Sequence, residues 1–136
     1  MIAKGRDKRK KKGGGIAIMI RKEKNWKVEE IYIEESEDNE DILACFIKNE
    51  HLNVQGILLI CVYMTTGRTD IVIQENKRKY KEIEKIIKKH KDKEILIMGD
   101  MNAHIGILGE KIDKNGESML AFTEENDLEI GNLMKT

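Results

Sequence analysis

Apolar residues recur along the chain with two different periods. Ile16-Ala17-Ile18-Met19-Ile20 is a short, mostly β-branched run closed by Arg21, which predicts a buried strand. Ile31-Tyr32-Ile33 alternates among charges and predicts a half-exposed strand that ends by Asn39. Ile42–Lys48 and Val54–Met64 predict two more strands, joined as a hairpin through Asn49-Glu50-His51. From Ile71 to Lys93 the period becomes helical. Tyr80, Ile83 and Ile87 fall on one face with Ile86 beside them, and Glu75–Lys79 and Glu84–Lys88 are supportive i,i+4 pairs. The lysines of this helix read as a solvated face. Glu94–Met98 predicts a buried strand ending in Gly99-Asp100, and Met101–Gly116 a loop. Glu117–Asn126 then predicts a second helix through Leu120, Ala121 and Phe122, and Leu128-Glu129-Ile130 a last short strand. Strand, helix, strand, helix, strand in order predicts an α/β fold with buried strands.

Composition narrows the class. The 136 residues are 40% apolar and 37% charged, so the charge is high but the apolar positions cluster, which argues against wholesale disorder. A chain of this length buries about two-thirds of its surface as one domain without help from disulfides. The longest apolar run, Ile57–Met64, is too short to cross a bilayer, and the basic start lacks the apolar core of a secretory signal. Cys45 and Cys61 sit in apolar runs with no paired spacing, so an intracellular, reduced protein is expected, in nucleus or cytoplasm. A formal net charge of zero hides an asymmetry: Lys4–Lys12 holds seven cations against Asp7 alone. Such a block reads first as a solvated tail over residues 1–12, and otherwise as a phosphate-contacting or nuclear-import segment.

The chemistry concentrates in Met98-Gly99-Asp100-Met101-Asn102-Ala103-His104. It follows an apolar strand, and ligands in α/β sheets bind at strand C-terminal ends. A period of two puts Asp100, Asn102 and His104 on one side wherever the chain stays extended. Asp100 there orients or deprotonates a water, Asn102 supplies a neutral donor and acceptor beside a phosphate, and both offer hard oxygens to Mg²⁺. The same residues also serve as plain turn chemistry after a strand. An EF-hand is excluded because its glycine and glutamate positions hold Ile105 and Lys111, and His51, His90 and His104 lack zinc-ligand spacing.

Gly13-Gly14-Gly15-Ile16-Ala17-Ile18, Leu58-Leu59-Ile60-Cys61-Val62-Tyr63, the ILIMGDMNAHIG block from Ile95 to Gly106, and Asn115-Gly116 with Leu120, Phe122, Asn126, Leu128 and Ile130 occur in a telling order. Together they resemble the endonuclease/exonuclease/phosphatase superfamily, closest to the endonuclease domains of non-LTR retrotransposons and craniofacial development protein 2-like relatives. The resemblance runs from about Gly13 to the C-terminus and implies a partial four-layer α/β sandwich over residues 13–136, with two packed sheets flanked by helices. It implies Mg²⁺-dependent hydrolysis of a phosphodiester, most naturally in DNA. By position Asp100 matches the water-activating aspartate, which would also be a weak metal ligand, and Asn102 the asparagine at the scissile phosphate. Tyr63 matches a cleft tyrosine, Asn132 a later substrate-binding amide, and His104 a supporting group. Tyr63 and Asn132 read equally as a rim aromatic and a turn amide.

Departures from the family pattern set further expectations. The family's metal-binding Glu lies upstream of the glycine-rich strand, and the residues before Gly13 contain no Glu. Its Ser-Asp-His segment would follow Thr136, and Thr65 stands where many relatives place a proline. The chain is therefore expected to be a central slice, incomplete at both ends and inactive alone. Glu110 and Glu117 are the carboxylates that could replace the absent ligand. The alternatives are a non-catalytic nucleic-acid-binding remnant and a superfamily phosphatase acting on a phospholipid or inositol phosphate.

Overall fold

A computed structural model of the chain describes residues 2–5, 15–22, 25–34, 39–52 and 54–133. Among the described residues six strands and two α-helices follow in order: β1 (Ile2–Gly5), β2 (Gly15–Ile18), β3 (Trp26–Glu30), β4 (Ile42–Asn49), β5 (Val54–Tyr63), α1 (Asp70–Lys89), β6 (Glu94–Asp100) and α2 (Lys114–Glu125). β3, β4, β5 and β6 form one sheet in that order. The first three pair antiparallel, and β6 joins β5 in parallel through the α1 crossover, as parallel neighbours require. β1 and β2 make a separate antiparallel ribbon.

Alternation along the central strands decides what each face covers. Ile42 and Ala44 of β4, with Leu58, Ile60 and Val62 of β5, pack against Tyr80, Ile83 and Ile86 of α1 and Phe122 of α2. On the opposite face Leu43, Cys45 and Leu59 pack against Ile18 of the ribbon. Helices, sheet and ribbon are thus stacked layers of an α/β fold, as expected. Burial raises the pKa of both Cys45 and Cys61, which keeps them protonated packing groups. Among the described residues no helix is long and apolar enough to cross a membrane.

Both helices start on side-chain caps. Thr69 Oγ1 accepts the Val72 N–H at 3.3 Å, and Asp113 Oδ1 accepts that of Gly116 at 2.7 Å. The Tyr80 and Phe122 rings, 4.7 Å apart, lock α1 to α2.

Several sequence expectations are corrected. The stretch read as a solvated tail begins with strand β1, because Ile2–Gly5 find a pairing partner in Gly15–Ile18. The remaining cations of that block, residues 6–12, lie outside the described residues. The third strand lies at Trp26–Glu30, upstream of Ile31-Tyr32-Ile33. Those three continue as irregular chain, Ile31 and Ile33 packing on the core. Leu128-Glu129-Ile130 is not a strand; Leu128 N–H instead closes the end of α2 on the Thr123 carbonyl at 2.9 Å. Lys79 is buried rather than solvated. β6 is buried on one face only, since Leu96 and Met98 are each about half exposed on the face away from the helices.

That last correction has a measurable consequence. Among the described residues β6 is a sheet edge with an apolar exposed face and neither Lys nor Pro to protect it, the feature that invites strand-to-strand association. Leu96→Lys is expected to shift the protein toward monomer in sedimentation while changing the melting temperature little, as exposed substitutions cost about 0.5 kcal/mol or less. Identical sedimentation of both proteins would refute this.

Candidate active site

The site is built where β5 and β6 end side by side. Tyr63 and Asp100 are register partners in the parallel pair, so their side chains leave the same face of the sheet. The Met64 N–H donates to the Asp100 carbonyl at 2.9 Å, which extends the pairing one step beyond the strands. The chain then turns sharply. Asn102 has a φ of 44°, its N–H donates to Asp100 Oδ1 at 3.1 Å, and its Nδ2 donates to the Met64 carbonyl at 2.6 Å. Asparagine suits this place because it tolerates the left-handed region and hydrogen-bonds locally. The turn ends the extended run, so the period-two alignment of Asp100, Asn102 and His104 does not persist beyond Asp100.

A cleft of about 540 Å³ nevertheless gathers Asp100, Asn102, His104 and Asn132, with Thr66 and Arg68 on its wall. Asn132 reaches it from a single 3-10 turn, Gly131–Leu133, rather than from a strand. Tyr63 lines the adjoining cavity under β2, and its hydroxyl lies 3.3 Å from Thr66 Oγ1 on the cleft wall. His104 is held through its backbone: its N–H donates to Asp113 Oδ1 and its carbonyl accepts the Asp113 N–H, both at 3.2 Å, leaving the ring exposed.

The chemistry follows from these bonds. Asp100 is exposed, with one carboxylate oxygen occupied by the Asn102 N–H and the other available to orient a water. The Asn102 amide is fixed by Met64, leaving its oxygen as an acceptor. Of the two glutamates considered as metal ligands, Glu110 is engaged by its own loop. Its own backbone N–H and those of Leu108 and Gly106, with His104 nearby, hold its carboxyl below the usual range. Glu117 lines a neighbouring cavity on the first turn of α2. Among the described residues no three His, Cys, Asp or Glu side chains converge, so Asp100 and Asn102 do not by themselves fit Mg²⁺ as a protein-built cage.

Sequence reasoning missed the scaffold beneath this cleft. Lys79, only 1% exposed, donates to Asp41 Oδ2 at 3.0 Å, the Tyr63 carbonyl at 3.0 Å and Thr65 Oγ1 at 2.9 Å. Asn76 accepts the Thr65 N–H at 2.8 Å, and its Nδ2 donates to the Thr65 carbonyl at 3.0 Å and to Asn115 Oδ1 at 3.2 Å. Asn115 in turn donates to the Gly67 carbonyl at 2.8 Å. The available signal was position: Asn76, Lys79, Tyr80 and Ile83 share one helical face, so two polar residues interrupt an apolar stripe.

Comparison with known proteins bears on this arrangement. A family model described as endonuclease-reverse transcriptase matches residues 57–136, the segment running from β5 through the cleft. No curated protein and no solved structure matches the chain. The match covers more than half of the chain and includes Tyr63, Asp100, Asn102, His104 and Asn132, so the chain belongs to the endonuclease-reverse transcriptase family, a domain of the endonuclease/exonuclease/phosphatase type.

Proposed function

We propose that the cleft is the phosphate-handling part of an endonuclease-type site whose substrate is DNA, and that the residues present turn a phosphodiester over too slowly to detect. The observation that carries this reading is the Asp100–Asn102 turn, braced across two strands by the Met64 carbonyl and opening an exposed carboxylate into the cleft. In this reading Asp100 orients the attacking water, and Asn102 and Asn132 hydrogen-bond the phosphate region. Tyr63 supports the wall through Thr66. DNA is favoured over a phospholipid or inositol phosphate by the family description and by the basic block at Lys4–Lys12.

Slow turnover follows from charge. In-line attack on phosphorus needs groups that stabilise the charge developing on the phosphate oxygens, and losing one such donor typically costs about 10²–10³ in rate. Mg²⁺ supplies such stabilisation where it binds, but it sheds its waters reluctantly. One carboxylate and one amide oxygen, Asp100 and Asn102, would hold it only weakly.

Plasmid nicking by the purified protein, with Mg²⁺ and with EDTA, tests the proposal, with Asp100→Ala as control. The expected result is nicking at the buffer rate in all samples. Nicking that requires Mg²⁺ and disappears in Asp100→Ala would uphold the site and overturn the low activity. Nicking indifferent to Asp100→Ala would overturn the site itself.

A further inference from the structure

The loop between β5 and α1, residues 64–69, is held far more tightly than a short connection needs. Tyr63 carbonyl and Thr65 hydroxyl go to Lys79, and Thr65 N–H and carbonyl go to Asn76. Met64 N–H and carbonyl go to Asp100 and Asn102, and Gly67 carbonyl goes to Asn115. Three of the side chains involved, on Asn76, Lys79 and Asn115, are at least 96% buried, a costly use of polar groups unless each is satisfied. Gly67 completes the turn with a φ of 139°, where a Cβ would press on Val72 at 3.1 Å. This scaffold delivers Arg68.

Arg68 is exposed on the partition between two cavities. One is the Asp100 cleft; the other, of about 570 Å³, is lined also by Lys111, Lys114 and His104. Two of the three carboxylates there are engaged by backbone: Glu110 by the N–H groups of Gly106 and Leu108, Asp113 by those of His104 and Gly116; Glu117 is exposed, and against it stand Arg68, Lys111 and Lys114. Among the described residues Lys114 has a loose partner in Asp70, at 3.8 Å and largely exposed on both sides. A guanidinium on the wall of two clefts, with lysines lining the second, suits a polyanion that crosses both better than a single anion. Planar bidentate binding of phosphate is the task arginine does best.

We infer that Arg68 binds a DNA backbone phosphate next to the one at Asp100, and that Asn76, Lys79 and Asn115 are positioning residues that fix the loop presenting it. The inference rests on the proposal that the cleft takes DNA. It is distinct in its test, because the two parts of the site carry opposite charge.

The experiment is fluorescence anisotropy with a short labelled DNA duplex across a salt series. It uses the full chain and the full chain carrying Ala at Lys8, Arg9, Lys10, Lys11 and Lys12, so that the basic block cannot mask the effect. Arg68→Ala is expected to weaken binding about fivefold to tenfold and to lower the salt slope by about 0.9, one phosphate contact. Arg68→Lys should keep the slope and lose part of the affinity. Lys89→Ala, about 30 Å along α1, should change neither. Asn76→Ala and Asn115→Ala should each weaken binding, and neither should weaken it further when Arg68 is already Ala. That non-additivity would not arise from general destabilisation. Asp100→Asn removes a negative charge beside phosphate and should tighten binding severalfold. Unchanged affinity and slope for Arg68→Ala in the neutralised background would overturn the inference. Additive losses would overturn the positioning role. An unchanged Asp100→Asn beside a weakened Arg68→Ala would overturn the cleft reading and leave the Arg68 contact standing.

Discussion

Gly99→Ala is expected to lower the melting temperature by about 12–20 °C and to release the end of β6 from β5. Gly99 is the register partner of Val62 and has a φ of 144°, a conformation L-residues rarely adopt. A Cβ there would overlap the Val62 carbonyl oxygen and crowd its carbonyl carbon and nitrogen, all backbone atoms that cannot swing aside. Strained dihedrals cost about 1–3 kcal/mol and overpacking a similar amount, so about 4 kcal/mol is expected from the pair. At a few degrees per kcal/mol for a domain of this size, that sets the shift. The clash also pushes the strands apart where Met64 N–H reaches Asp100, so amide exchange at Met64 should accelerate before that of the β4–β5 core. Gly131→Ala, with open space around its Cβ position, is the control and should melt within about 2 °C of the parent. Thermal unfolding by circular dichroism reads both variants, and equal melting temperatures would refute the argument.

The contrast between Gly99 and its neighbours shows what was legible in the sequence. The central strands and α1 could be read because burial on two faces, or on one helical stripe, forces long apolar runs at Ile42–Asn49, Val54–Tyr63 and Asp70–Lys89. The Gly-Asp-x-Asn turn could be read because its residue types are demanding. β1 could not, since Ile2–Gly5 lacks alternation and exists by pairing with residues Gly15–Ile18 across the intervening chain. Ile31-Tyr32-Ile33 alternates like a strand, yet register pairing with β4 ends at Glu30 with one more bond from the Ile31 N–H to the Ala44 carbonyl, and its two isoleucines reach the core from irregular chain. The buried Lys79 was hidden for a different reason. A lysine four residues after Glu75 on a charged helix looks like a surface pair, and it is turned inward by Asp41, Tyr63 and Thr65, all distant in sequence.

Lys79→Ala is expected to cost about 3–5 kcal/mol, a large part of the 5–15 kcal/mol that holds a typical domain together. The ammonium has three donors and three acceptors, on β5, on the loop after it and on Asp41 just before β4, so its removal unties three segments at once. What remains is worse than a cavity. The Asp41 side chain, 11% exposed, loses the Lys79 ammonium beside it, and the Tyr63 carbonyl and Thr65 hydroxyl lose its N–H groups. Lys79→Met separates packing from charge, since it keeps most of the aliphatic stem; it should recover about 1–2 kcal/mol of the loss and no more. Adding Asp41→Asn to Lys79→Met should recover about a further 1–2 kcal/mol, because the largely buried carboxylate that Lys79 faced is gone. The exposed Lys27–Glu50 pair is the comparison: its side chains are 69% and 64% exposed, and Lys27→Ala should cost below about 1 kcal/mol. Urea unfolding of the five proteins measures all of these. If Lys79→Met/Asp41→Asn proves no more stable than Lys79→Met, the ion pair with Asp41 is not what makes the lysine stabilising. The stabilisation would then lie in the two bonds to Tyr63 and Thr65 that shape the cleft wall.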